Sequence, residues 1–167
     1  MMDGSRNDGP LRLRAKDGDD LLVFSTALQD AIVPIVDVAF LAAERRFMMV
    51  VNRFKWEAGE QPADLLGSDE ADDDPATGNI YLRTNCAVRF DNVAAVQSRG
   101  VDLKNRGQLL DMLALRAEEG AIRLDFADGV ALLLTVDGVE ARLEDLGEPW
   151  PTTRMPSHLF EDQGASA

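Results

Sequence analysis

Six cations sit on or beside segments with strand-like patterning: Arg45, Arg46, Arg53, Lys55, Arg89 and Arg99. Arginine presents a planar fork of donors that matches carboxylate and phosphate oxygens two at a time. Several such groups on one sheet face could hold a small anion or an acidic partner segment. The plainer alternative is a solvated strand face whose cations pair with the chain's many acids. Within Asn52-Arg53-Phe54-Lys55-Trp56, the period of a strand puts Asn52, Phe54 and Trp56 on one face and Arg53 and Lys55 on the other. Phe54 and Trp56 read as core, so Arg53 and Lys55 are expected on the solvent side. Trp150, flanked by Pro149 and Pro151, either anchors the C-terminal tail in a groove or offers an aromatic anchor to a partner. The candidate ligand- or partner-binding residues are therefore Arg45, Arg53, Lys55, Arg99 and Trp150.

Other chemistries find little material. The clusters Asp69-Glu70 and Asp72-Asp73-Asp74 offer hard oxygen ligands, but lack the ligand spacing and sharp-turn glycine of a calcium loop. With one cysteine, Cys86, and one histidine, His158, a thiolate site or a histidine cluster within one chain is excluded. Cys86 alternates with Val88 and Phe90 and reads as a small buried hydrophobe rather than a reactive thiol. Ser98-Arg99-Gly100 has no base in view for a serine nucleophile. Glu140 and Glu144 would repel each other one helical turn apart, and neither they nor Asp145 form an acid–base pair. Glycine-rich phosphate loops are absent. No catalytic residue, metal or cofactor is expected.

Charge narrows the partners. The formal net charge of −13 opposes a phosphate backbone, so nucleic-acid binding is not expected. Segment 57–78 holds eight acids and no base, which leaves −5 for the remainder. The longest apolar stretch, Ala31 to Ala43, is broken by Pro34 and Asp37 and is too short to span a bilayer. The N-terminal residues carry no apolar signal segment. A lone free cysteine fits a reducing compartment, and a cytoplasmic setting is expected.

The elements that must position these residues come from periodicity. At 167 residues the expectation is one domain, burying roughly 70% of the surface its unfolded chain exposes. Residues 1–10 and 153–167 are expected to be flexible, and 57–78 an acidic loop. Leu11 to Lys16 alternates as a half-buried strand. Asp17 caps a helix whose stripe is Leu21, Phe24, Leu28, Ala31 and Ile32, with Pro34 as its stop. Strands follow over 35–41, 46–56, 80–90, 93–101, 109–117, 121–127 and 130–136, with turns at Asp91-Asn92, Glu118-Glu119-Gly120 and Asp128-Gly129. Asp137 and Glu140 resemble a capping box opening a short final helix with Val139, Leu143 and Leu146 as its stripe. The predicted class is α+β. It is a small antiparallel β-barrel or sandwich of about eight strands, with one helix after the first strand and a short C-terminal helix. By element order it is analogous to a pleckstrin-homology-like barrel.

Several runs resemble a known family. They are Leu28-Gln29-Asp30-Ala31, Glu44-Arg45-Arg46-Phe47, Asn52-Arg53-Phe54-Lys55-Trp56-Glu57, Ser98-Arg99-Gly100, Leu124-Asp125-Phe126-Ala127 and the stretch from Glu140 to Thr152. Together they resemble the alphaproteobacterial domain-of-unknown-function family 2948 over roughly residues 11 to 152. The resemblance implies a bacterial cytoplasmic protein and brings no activity, cofactor or catalytic residue. The reading from residues is then a non-catalytic binding or adaptor module with an Arg-bearing sheet face, docking a protein partner or a small anionic ligand. An enzyme acting on a small anion through Arg and carboxylates is the second reading, and a homodimeric structural protein the third.

Overall fold

The computed structural model describes residues 10–58, 61–62, 79–102 and 104–152. The expectations placed on residues 1–9, on 63–78 within the acidic segment and on the tail from 153 lie outside the described residues. Among these residues eleven strands and one α-helix follow in chain order. They are β1 (Arg12–Ala15), α1 (Gly18–Ala27), β2 (Ile32–Pro34), β3 (Val38–Leu41), β4 (Arg46–Phe54) and β5 (Gln61–Pro62). Then come β6 (Asn79–Asp91), β7 (Val93–Arg99), β8 (Leu109–Glu118), β9 (Ala121–Phe126), β10 (Ala131–Val136) and β11 (Ala141–Thr152). All form one sheet in the order β1-β11-β6-β4-β2-β8-β9-β10-β7, with β3 added to β4 and β5 to β6. Every pairing is antiparallel.

This architecture corrects two expectations. The sheet runs from β1 to β7 without pairing those ends, so it is open rather than a pleckstrin-homology-like barrel. The expected C-terminal helix is instead β11, inserted between β1 and β6. Val139, Leu143 and Leu146 match helical spacing, but Ala141, Leu143 and Asp145 alternate inward on a strand. Tertiary pairing on both edges overrides local helix propensity there. Beyond Leu146 a bulge holding Gly147, whose φ is +67°, interrupts the register before Trp150 resumes it opposite Arg83.

The helix is placed as expected but stops earlier. Asp17 accepts a hydrogen bond from the Asp20 amide at 2.8 Å, and Asp19 and Asp20 suit the positive first turn. Leu28 rather than Pro34 closes it, its amide returning to the Phe24 carbonyl. Asp30, at φ 63°, then turns the chain into β2, where Pro34 lies. Arg45 and Asn92 likewise take left-handed backbone in the turns before β4 and β7.

The sheet bends so that the inner faces of its two halves share one core. Phe47, Met49 and Val51 of β4, Val88 and Phe90 of β6 and Leu143 of β11 meet Leu124 of β9 and Leu134 of β10. Leu21 and Phe24 of α1 complete it. Burying a side chain the size of Phe24 stabilises by about 2–3 kcal/mol. Strand alternation then puts the residues between these on the outer face of the sheet.

Candidate functional site

β4 carries its apolar inner row as Phe47, Met49 and Val51, and the next position on that row is Arg53. The expectation for Arg53 is therefore corrected: it is 0% exposed on the core side, while Phe54, on the other face, is buried as expected. Lys55 is buried too, just past the end of the strand. The reason is a carboxylate supplied from far away. Asp145 of β11 lies in register with Cys86 of β6, which in turn faces Val51 of β4. Arg53 reaches across β6 and grips it two-pronged, Nε to Oδ1 and Nη2 to Oδ2, both at 2.8 Å. Glu57, in the turn after β4, accepts from Nη1 at 3.0 Å and from Nη2 at 2.6 Å. The Phe54 carbonyl accepts from Nη1 at 3.3 Å. All five guanidinium N–H groups are thus engaged.

The electrostatics follow. Burial pulls the Arg53 pKa down, but the hydrogen bonds it donates to Asp145 and Glu57, with their charges, outweigh it, and the value is raised. Burial pushes the Asp145 carboxyl up, yet the Arg53 guanidinium and the Leu11 amide hold it below its ordinary range. That amide donates to Asp145 Oδ2 at 2.8 Å, and the Asp145 amide donates to the Leu11 carbonyl. The network therefore ties β4, β11 and the residue before β1 together. Cys86 lies alongside, its thiol pushed up to about 12 by burial first and by the Asp145 charge second. It is a buried, inert thiol, as its spacing implied.

The opposite face is arranged differently. In the cross-strand row next to Arg53, Phe54, Arg83 and Trp150 stand side by side on β4, β6 and β11. Arg83 donates from Nε to Asn52 Oδ1 at 2.6 Å and from Nη2 to the Asn52 carbonyl. Its guanidinium lies 5.8 Å from the Phe54 ring centre, and that ring packs against Trp56 and Tyr81. Burial lowers the Arg83 pKa, only partly offset by the charges of Asp111 and Asp30. Trp56 sits in the turn after β4 and donates to the Gln29 carbonyl. Trp150 is half-buried within β11, not on the tail.

Further along this face, Arg14, Arg142 and Arg89 form one cross-strand row on β1, β11 and β6. Arg14 pairs with Glu140 at 2.9 Å. Arg46 and Arg89 share Asp91, at 2.9 and 3.3 Å. Arg89 Nε is buried without a hydrogen bond among the described residues. Leu41 of β3 faces Arg46 and Val50 of β4 lies diagonal to Arg89, and both are exposed, as are Leu146 of β11 and Leu109 and Leu113 of β8.

The structure does not gather the five expected residues. Arg45 is in the turn before β4, paired with Asp137 at 2.8 Å. Arg53 is eight residues on, roughly 25 Å along an extended strand. Arg99 is exposed at the end of β7 and lines an open groove with Gln97, Ser98, Arg123 and Leu133. Only Trp150 shares a row with an arginine, and that arginine is Arg83. Sequence reasoning missed Arg83, Arg14 and Arg142 as site residues. The signal was present in the polar alternation Tyr81, Arg83, Asn85, Arg89, but aligning it with β1 and β11 needs the register. Among the described residues no three His, Cys, Asp or Glu side chains gather as a metal site. No helix among them is long and apolar enough to cross a membrane.

Among the described residues these features define a sheet-rich class: one open antiparallel sheet, one α-helix, a largely buried ion network inside and an arginine-bearing, partly apolar face outside. The chain belongs to the family described as protein of unknown function (DUF2948), which it matches over residues 11–158. No curated protein and no solved structure matches it.

Proposed function

We propose that this chain is a non-catalytic binding module that docks a partner protein on the outer face of the sheet formed by β1, β11, β6, β4, β3, β2 and β8. One observation carries the reading: arginines and exposed aliphatic side chains lie side by side on that face. Val50 is 36% and Leu109 65% exposed, and contiguous exposed apolar surface beside polar groups marks interaction sites. Arg14, Arg89 and Arg142 adjoin it as the charged margin that such interfaces use for orientation. Arg53 and Lys55 support the sheet rather than meet the partner.

The enzyme reading has less support. It calls for a shifted carboxylate beside an arginine in an open cleft. Asp145 beside Arg53 is shifted, but downward, and both are buried with every guanidinium donor taken.

Photo-crosslinking in the native cell tests the docking reading. A crosslinking residue at Val50 or Leu109 should trap a partner that the same residue at Thr135, exposed on β10, does not. Adding Val50→Asp, in a folded chain, should abolish the Leu109 product. Equal products at all three positions, or none, would overturn the reading, and a product with a second copy would favour the homodimer instead.

A further inference from the structure

The charge pattern on this face supports a narrower inference, which rests on the docking reading. Arg14 faces Arg142, and Arg142 faces Arg89, directly across the ladder. Like charges opposed on neighbouring strands are unfavourable. Internal compensation is incomplete. Of four arginines here, Arg14, Arg89 and Arg46 pair with three carboxylates, Glu140, Asp91 and Glu44. Asp91 serves two of the arginines, and Arg89 Nε is buried beside it without a hydrogen bond. Arg142 is exposed and has no ion pair among the described residues. Glu140 is held below its ordinary range first by its hydrogen bond from Arg14, with the charges of Arg14, Lys16 and Arg142 adding to it. A local cationic stripe thus persists in a chain of net charge −13.

We infer that the row Arg14–Arg142–Arg89 grips an acidic run, two or three successive Asp or Glu side chains, on the docked partner. The geometry suits that class. Strands about 4.8 Å apart spread three guanidinium groups over about 10 Å, the reach of a short peptide run rather than of one small anion. The surface is a sheet face, whereas small anions are held in concave sites. A nucleic acid is disfavoured because its charge continues beyond the stripe into the field of an acidic protein. Fork-shaped guanidinium groups donate to carboxylates two-pronged, and an aliphatic neighbour such as Val50 would shield those bonds from water.

The test uses the full chain and a fluorescein-labelled octaglutamate peptide, read by anisotropy at low and moderate salt. Wild type should bind it, more weakly as salt rises. Arg142→Gln should weaken binding about fivefold, and Arg142→Gln with Arg14→Gln further still. Arg99→Gln, on the far half of the sheet, should leave it unchanged. Unfolding midpoints within a degree or two would show that the variants fold. No binding at low salt, or equal loss from Arg99→Gln, overturns the inference. So does an octathymidylate oligonucleotide that binds as tightly as the peptide, because it would make the row a general polyanion site. A Val50 crosslink without peptide binding would sink the acidic run and keep the docking face. Peptide binding without that crosslink would do the reverse.

Discussion

Arg53 and Arg83 stand on neighbouring strands at one end of the sheet, a single position out of register and on opposite faces. Arg53 is wholly buried, gripped by two carboxylates, and its pKa is raised. Arg83 is half-buried, held by an amide and a carbonyl of Asn52, and its pKa is lowered. Burial acts downward on both, so the partner decides the sign. The inner face completes its own charge balance, with Arg53 and Lys55 set against Asp145 and Glu57. The outer face leaves its balance to amides, rings, shared carboxylates and, on our reading, a partner.

The sharpest way to break this contrast is to remove the inner carboxylate. Asp145→Ala leaves Arg53 buried with Glu57 alone and should cost about 3 kcal/mol in denaturant unfolding. Restoring volume and removing the cation as well, in Asp145→Leu with Arg53→Met, should recover much of that loss. A cost below about 1 kcal/mol for Asp145→Ala would mean that the network does not hold the sheet.

Acid comes next in size. The folded pKa of Asp145 lies below its unfolded value of about 3.9. Its contribution to stability is therefore present above that unfolded value and lost as pH falls through the folded one. Wild type should lose stability below about pH 4 more steeply than Asp145→Asn, followed by urea midpoints across pH 2 to 6.

The outer face should yield the smallest effects. Arg83→Met removes a guanidinium that burial disfavours and keeps aliphatic contact with Phe54, so its stability should change by about 1 kcal/mol or less. Arg142→Gln relieves opposition from Arg14 and Arg89 and should be neutral or stabilising by a few tenths of a kcal/mol. A large loss from either would erase the distinction between the faces.

How much of this was legible follows from range. Asp17 capping α1, the left-handed Asn92 turn and the β8–β9–β10 meander depend on neighbours in sequence, and they were readable. β11 was not, because its residues favour a helix locally and only pairing with β1 and β6 makes it a strand. Arg53 was misplaced for a related reason. A charged side chain is sent to solvent by default, and its partner Asp145 stands 92 positions away. The outer arginine row was hidden too, since it joins three strands whose alignment no local pattern states.

The insertion of β11 between β1 and β6 also governs how the chain reaches this state. Residues 141–152 leave the ribosome after every other strand of the sheet has been made. Until then β6 has a bare edge and β1 has no neighbour to pair with. The Leu11–Asp145 link spans 134 positions, a long closure that slows folding. The nascent chain therefore holds Arg53 with Glu57 as its one carboxylate partner, beside an open strand edge, the kind of surface that invites wrong pairing. One late segment supplies both the missing strand and the second counter-charge, so the sheet is complete only once that segment has been made.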